Sequence, residues 1–325
     1  TSILLNVGEL QNNGLDISVY GTPVETKDFR WDLRGNLSFN KNKVNKLQNG
    51  LTELVHTTWD GAVELKSIVG ESMGDLYAYV PKEDANGNKI VDEEGLYIVD
   101  YTERKKVGNA MPKAIGGIGT SFNYKNFFVD ATVDFRIGGA VLNQPYQYMM
   151  NIGNIVESLD YRDAAHGGLT YYFEGNDVAG GKTIATRASA GSNGEKVYDN
   201  GVILPGVKEN GSANDIIVPS DFYYAEQYGW GSSGYVTYEK SIIDNSYVKF
   251  RELSLGYSLP KVIASKLACK NLTLSVYGRN LFYIYKKMPS MDAEATDGTS
   301  WQSQTVIGGS TATTRTFGLS LRASF

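Results

Sequence analysis

The segment Arg315-Thr-Phe-Gly-Leu-Ser-Leu-Arg-Ala-Ser-Phe325 decides how the fold is interpreted. Its apolar residues occupy every second position, with polar or small residues between them, which is the period of a β-strand. About ten such residues match the length of a tilted strand that crosses an outer membrane. In a soluble sandwich the apolar set would face a core, whereas in a membrane barrel it would face lipid. The last aromatic residue, Phe325, is in phase with the apolar set and favours the barrel.

The composition excludes several classes of protein. Hydrophobic residues make up 42% of the 325 residues, which is ordinary, but a β-barrel distributes its apolar residues by alternation. The 36 Gly and 22 Tyr suit turns, curved strands and aromatic girdles. A net charge of −5 argues against a nucleic-acid-binding protein. With one cysteine and two histidines, disulfides and cysteine- or histidine-based metal sites are not expected. No apolar run is long enough to predict a transmembrane helix.

Several predicted strands carry charges on one face only. Around residues 29–39, Phe29, Trp31 and Leu33 alternate with Arg30, Asp32 and Arg34. Residues 127–137 repeat this pattern with Asp and Arg opposite Val and Phe. Charges on one face would be costly in a dry core but are tolerated beside water, so the pattern favours a barrel with a wet lumen. In the segment 247–257 the alternation changes phase, and a β-bulge near Arg251-Glu252 would restore it.

The spacing predicts an all-β fold, an antiparallel transmembrane β-barrel segment of about seven strands. The strands are expected near residues 13–24, 29–44, 113–124, 127–137, 246–258, 271–284 and 313–325. Short breaks alternate with long connections at 45–112, 138–245 and 286–311. This asymmetry is typical of outer-membrane barrels, which have short periplasmic turns and long extracellular loops. Bacterial single-chain barrels begin at eight strands, so we expect further strands before Thr1 and no pore from this chain alone.

The long connections contain a few local signals. Asn86-Gly87 predicts a hairpin turn between Ala78–Val80 and Ile90–Val91. A calcium loop beginning at Asp84 is the alternative, although the glycine and the bidentate carboxylate of such a loop are missing. A short helix is expected after Pro219, with Ser220 as its N-cap, and one helical turn is expected within 259–270.

Motifs along nearly the whole chain resemble those of the SusC/RagA family of TonB-dependent outer-membrane transporters. They are Asn6-Val-Gly-Glu-Leu-Gln-Asn-Asn-Gly14, Lys27-Asp-Phe-Arg-Trp-Asp32, Phe39-Asn-Lys-Asn-Lys-Val44, Val69-Gly70-Glu71, Arg136-Ile-Gly-Gly-Ala-Val-Leu-Asn143, Tyr247-Val-Lys-Phe-Arg-Glu-Leu-Ser-Leu-Gly-Tyr257 with Leu259-Pro260, Gly278-Arg-Asn-Leu-Phe282 and Phe325. Two segments depart from the family pattern, Val99–Val107 and Met291-Asp-Ala-Glu294.

The resemblance implies that residues 1–325 form the C-terminal portion of a plugged, 22-stranded receptor barrel, without the signal peptide, the plug and the earlier strands. It implies TonB-dependent import of a bulky nutrient, an oligosaccharide or a peptide. The implied partners are a SusD-like lipoprotein, the rest of the barrel with its plug, the TonB complex, outer-membrane lipid and the substrate. The implied location is the outer membrane of a Gram-negative bacterium.

Two sets of residues are candidates for the functional surfaces. No catalytic constellation is present, and we predict neither enzymatic activity nor a cofactor or metal. The first set should face the lumen, as a solvated wall with mutual ion pairs or, alternatively, as substrate contacts: Arg30, Asp32, Arg34, Asp130, Asp134, Arg136, Tyr277, Arg279 and Arg322. The second set should contact the lid lipoprotein or the ligand, with packing inside the loop as the alternative: Tyr146, Tyr148, Tyr171, Tyr172, Tyr223, Tyr224, Tyr228 and Trp230.

The other face of the strands should meet lipid. An aromatic girdle is expected at the rim of the short turns, made of Phe29, Trp31, Tyr124, Phe127 and Phe325.

Two other classes of protein remain open: a passive outer-membrane porin and a secreted carbohydrate-binding β-sandwich. The sandwich explains the aromatics and the alternation, but it gives no reason for charged faces on several strands or for long connections on one side only.

Overall fold

The structure, a computed structural model, describes residues 8–229 and 234–325. The strands are β1 (Gly8–Glu25), β2 (Phe29–Leu47), β3 (Glu53–Trp59), β4 (Val63–Ile68), β5 (Met73–Pro81), β6 (Ile90–Val91), β7 (Val99–Asn109), β8 (Pro112–Tyr124), β9 (Phe127–Gly138), β10 (Ala140–Asn143), β11 (Leu169–Phe173), β12 (Thr183–Ala185), β13 (Val197–Val202), β14 (Val207–Lys208), β15 (Val218–Pro219), β16 (Ile242–Asp244), β17 (Tyr247–Ser258), β18 (Asn271–Lys286), β19 (Val306–Ile307) and β20 (Thr316–Ser324). The helices are α1 (Gln144–Ile152), α2 (Ser220–Gln227) and α3 (Lys261–Lys266). Within the described ranges, no helix has the length and apolar character needed to cross a membrane.

Seven long strands form one antiparallel sheet, the wall, in the order β1-β2-β8-β9-β17-β18-β20. The predicted all-β fold with seven barrel strands is therefore confirmed. The observed strands are longer than predicted in places, since β2 continues to Leu47 and β18 to Lys286, while β20 begins only at Thr316. Two of the short connections, 26–28 and 125–126, are tight turns, and the third contains α3, which confirms the predicted helical turn.

The register of the wall separates its two faces. Residues directly opposite each other on neighbouring strands share a face. Phe29 lies opposite Tyr124, Tyr124 lies opposite Phe127, and Phe127 lies opposite Tyr257, so three of the five aromatics expected in the girdle form one row with Tyr257. Trp31 lies opposite Phe122 on the same face, and Phe325 follows the end of β20. On the apolar face, Phe127 is 60% exposed and Phe317 is 71% exposed, which shows that nothing in the described chain covers them. A soluble sandwich would bury this face, and the structure therefore argues against that alternative.

The hydrophobic core lies in the long connections and not in the wall. The connection after β2 folds into a four-stranded sheet, β3-β4-β5-β7, where the sequence predicted only a long connection with one hairpin. Val63, Leu65 and Leu76 of this sheet are fully buried against Leu142 and Ile242 of the next connection. A second cluster joins β6 and its neighbours to α1 and α2 through buried tyrosines. Burial across connections that are distant in sequence gives these segments their structure.

Two local predictions in the connections need correction. A turn does form at Gly87, which has a φ of 81°. The predicted hairpin partner is wrong, however, because Ala78–Val80 pairs with β7 and not with Ile90–Val91. The amide of Ile90 instead donates to the carbonyl oxygen of Lys82 across this turn. The helix predicted after Pro219 is confirmed as α2, but Pro219 is its N-cap and Ser220 is its first residue. The hydroxyl of Ser220 is buried and makes no cap.

Candidate functional site: the polar face of the wall

All nine residues predicted to face the lumen lie on one face of the wall, the polar face. The register links them across strands, for example Asp32 opposite Ser121, Ser121 opposite Asp130, and Asp130 opposite Ser254. Within a strand they lie two residues apart and so point to the same side. Their exposure to a water-filled lumen stays a prediction.

One ion pair joins two of these residues, and others pair with neighbouring groups. The Arg30 guanidinium donates to Asp32, with Nε 2.9 Å from Oδ2, and also reaches Glu25 at 2.9 Å. Arg279 lies 3.3 Å from Glu252 and over the ring of Tyr277. Asp134 pairs with Arg251. The other four members bond to hydroxyls or backbone carbonyls or show only their register partner: Arg34 with Thr132, Asp130 with Ser121, Arg136 with Ala110 and Gly138, and Arg322 opposite Thr273.

Glycines create a depression in the middle of the polar face. A cavity of about 760 Å³ is lined by Arg34, Asn36, Asp134 and Arg136 among others. Arg34 lies flat over Gly119, where an added Cβ would come within 2.4 Å of its Nε. A larger residue at Gly119 would therefore push the guanidinium away from the wall and reduce the space in front of it.

The predicted bulge is confirmed and positions an additional arginine. The pairing of β17 shifts between Phe250 and Glu252 on both of its neighbours, which leaves Arg251 as the extra residue. Its guanidinium bridges two carboxylates, with Nε 2.9 Å from Asp134 Oδ2 and Nη1 2.9 Å from Glu294 Oε2. A bulge re-aims a side chain without ending the strand, and here it turns an arginine towards a loop carboxylate.

Lys249 completes this ion network two residues before the bulge. Its Nζ lies 2.5 Å from Glu294 Oε2 and 4.4 Å from the ring centroid of Tyr283. Only 2% of its side chain is exposed. A buried ammonium is tolerated only when it is paired, and Glu294 and the ring of Tyr283 are its partners here.

Asp292 anchors the same loop segment to two further groups. Its carboxylate accepts hydrogen bonds from the Tyr283 hydroxyl and from the Thr313 amide, the latter at 2.7 Å. Burial by itself would raise the pKa of Asp292, but the hydrogen bonds from Thr313 and Tyr283 outweigh burial and lower that pKa to about 2. The pKa of Glu294 is also lowered, since the bonds from Arg251 and Lys249 outweigh its burial.

The network holds the connection 287–315, the docked loop, against the polar face. Met288, Ala293 and Ile307 pack with Val141 in a small apolar cluster beside the charges. Removing one partner of a buried charge pair leaves the other uncompensated, which typically costs about 3–5 kcal/mol. The segment Met291-Asp-Ala-Glu294, which departs from the family pattern, is therefore the anchor of the docked loop.

The tyrosines predicted to meet a lid or a ligand are mostly inside the connection. Five of them are at most 9% exposed: Tyr171, Tyr172, Tyr223, Tyr224 and Tyr228. Ring contacts join Tyr223, Tyr224 and Tyr228 at 4.9–6.2 Å, and burial raises the pKa of Tyr228. Packing inside the loop, the alternative reading, describes these five. Tyr146 is half-buried, Tyr148 is 47% exposed, and Trp230 lies outside the described residues.

Sequence reasoning missed the residues of the ion network that come from β17 and the docked loop. Lys249 and Arg251 are two residues apart on a strand that contains a bulge, so the alternation does not show that both point to the same side. Nothing in their spacing connects them with Glu294. The one signal that pointed to this region was the break in alternation near Arg251-Glu252.

Comparisons with known proteins agree with this architecture. The chain is 24% identical to TonB-dependent receptor P3 of Formosa agariphila over the whole of its length and 30% of that protein. It is 27% identical to TonB-dependent receptor SusC of Bacteroides thetaiotaomicron over 47% of the chain and 16% of SusC. The structure of the RagAB peptide transporter superposes on 98% of the chain and 30% of that structure, with a TM-score of 0.59 and 16% identity. No protein-family model matches the chain.

The two-faced antiparallel wall with long folded connections has the fold of part of the β-barrel of RagA-like receptors. The chain spans about 30% of the length of the first of these relatives. Within that class, the chain is similar in sequence to SusC and shares its fold with part of the RagAB transporter.

Proposed function

We propose that this chain is part of an outer-membrane transporter that imports a bulky nutrient, an oligosaccharide or a peptide. The observation that carries the proposal is the chemical difference between the two faces of the wall. One face is exposed and apolar, which suits lipid, and the other is charged and internally paired, which suits a water-filled lumen. Import would be driven through TonB, and a SusD-like lipoprotein would cover the long connections as a lid.

One feature of the chain supports an importer with a narrowed lumen. The docked loop lies against the polar face and is held by an ion network, so it reduces the free space beside the wall. The outer membrane has no ATP, and active passage of a bulky solute past such a loop requires energy from elsewhere. The names of the relatives support TonB as that source.

We propose that the loop tyrosines that remain exposed contact the lid lipoprotein. Tyr148 on α1 is the best placed, because half of its surface is open and aromatic side chains are favoured at protein interfaces. Replacing Tyr148 with Ala should weaken co-purification of the lipoprotein. Replacing the buried Tyr171 with Ala is the control, and it should lower the melting temperature instead.

The test of import uses the full receptor in its own membrane. Deleting the gene should abolish uptake of a labelled oligosaccharide or peptide pool, and dissipating the proton gradient in wild-type cells should have the same effect. A passive porin is the second candidate, and it predicts uptake that continues after the gradient is lost. Uptake that is unchanged by the deletion would contradict both functions.

A further inference from the structure

A second cavity, of about 490 Å³, opens among the folded connections and away from the polar face of the wall. Its size lies in the range of small-ligand pockets, which is about 300–1,000 Å³. The cavity is lined by the turn between β3 and β4, by two tyrosines of β5 and β7, and by Val236 and Tyr238. None of these tyrosines is among the seven loop tyrosines that the sequence singled out.

Two tyrosine rings form one wall of this cavity. The rings of Tyr79 and Tyr101 meet edge to face with centroids 5.0 Å apart, and Tyr101 is 48% exposed. The guanidinium of Arg104 lies 4.3 Å from the centroid of Tyr79 and donates to the carbonyl oxygens of Gly61 and Ala62. Arg104 therefore ties the Tyr79 ring to the turn and leaves the Tyr101 ring as the open platform.

A carboxylate faces the rings from the turn. Asp60 and Gly61 have φ of 51° and 63°, as in a type I′ hairpin turn, and the Ala62 amide donates to the Trp59 carbonyl. Asp60 Oδ2 accepts from Gln144 Nε2 at 3.0 Å and from the Tyr238 hydroxyl at 3.4 Å. Its Oδ1 accepts no hydrogen bond from the described part of the chain.

The charges around the cavity select among ligand classes. An anion would be repelled by Asp60. A cation would lie beside Arg104, which already occupies the face of Tyr79. Arg104 is paired with Glu64 at 3.0 Å, so its charge is held in place. A neutral ligand with hydroxyl donors and an apolar ring face avoids both repulsions and uses both the carboxylate and the open aromatic ring.

We propose that this cavity binds one ring of an oligosaccharide, with the C–H face of the sugar on Tyr101 and a ring hydroxyl donating to Asp60 Oδ1. Burial and the nearby Asp60 raise the pKa of Tyr238 to about 12, so its hydroxyl keeps its proton at neutral pH and remains a donor. The inference rests on the importer proposed above and selects a sugar over a peptide as its cargo.

The experiment titrates the full receptor in detergent with cellohexaose, maltohexaose and penta-lysine, followed by saturation-transfer NMR. Tyr101→Leu removes the ring, whereas Tyr101→Phe keeps it. Asp60→Asn removes the charge and preserves the turn, because Asn-Gly also favours type I′. Glu93→Gln is the matched control, since it neutralises an exposed carboxylate of the same connection that does not line the cavity.

We expect at least one hexasaccharide to bind, with about tenfold weaker affinity in Tyr101→Leu and Asp60→Asn and unchanged affinity in Tyr101→Phe and Glu93→Gln. The proposal is overturned if neither sugar binds, if the sugars bind all variants equally, or if only penta-lysine binds. Thermal melts of the four variants distinguish lost binding from lost folding. Gradient-dependent uptake of peptides without sugar binding would leave the import function standing and remove only the sugar site.

Discussion

Replacing Arg251 with Met should release the docked loop. Arg251 joins Asp134 and Glu294, and its loss leaves Asp134 without its charged partner and Glu294 with Lys249 and the Tyr247 hydroxyl. An exposed pair is worth about 0–1 kcal/mol, whereas breaking a buried one costs about 3–5 kcal/mol. The three side chains are 21–31% exposed, so we expect an intermediate cost of about 2–3 kcal/mol.

That free energy corresponds to a rise of about 30- to 150-fold in the population of the undocked loop. Amide hydrogen exchange of the receptor in micelles would measure it, because the amides of Lys287 and Asp297 are bonded within or beside the docked loop. Their protection should fall by that factor in Arg251→Met.

The matched control is Arg279→Met on the same face. Arg279 is 62% exposed and its partner Glu252 is 37% exposed, so this change should cost less than about 1 kcal/mol and leave the loop protected. Equal protection in wild type and Arg251→Met, or an equal loss in both variants, would refute the reasoning that burial gives this network its strength.

Three further outcomes follow from the two faces and the docked loop. Leu33→Arg and Val133→Arg, on the face expected to meet lipid, should each cost about 2–4 kcal/mol in denaturant titrations of the barrel, and near-native stability in both would contradict the assignment of the faces. The folded-state pKa of Asp292 lies below its ordinary value of 3.8, so its contribution to the stability of the fold is present above about pH 4 and is lost as pH falls towards 2. Thermal melts across this range should show a smaller fall in melting temperature with decreasing pH in Asp292→Asn than in wild type. Identical slopes would count against the hydrogen bonds to Asp292. Gly119→Val should displace the Arg34 guanidinium, and a structure of the variant with that side chain unmoved would disprove the close packing.

Much of the wall follows from local pattern. Successive side chains of a strand point to opposite faces, so in Phe29–Phe39 the sequence alone places Trp31 and Leu33 on one face and Asp32 and Arg34 on the other. The break in phase at Arg251 predicts the bulge for the same reason. The strand β4 alternates in the same way, with Val63 and Leu65 buried and Glu64 and Lys66 less so, but the sequence does not show which distant connections cover its buried face.

The sequence by itself determined the β-strands, their two faces and the resemblance to a receptor family, since these depend on neighbours within one strand and on motifs within short segments. Only the tertiary structure decided that Lys249, Arg251 and Glu294 form one network and that most of the loop tyrosines are buried. It also brought Asp60, Tyr101 and Tyr238 to one cavity. These groups are separated by tens of residues along the chain and are brought together by long-range packing. Such packing leaves no periodic pattern in the sequence from which it could be predicted.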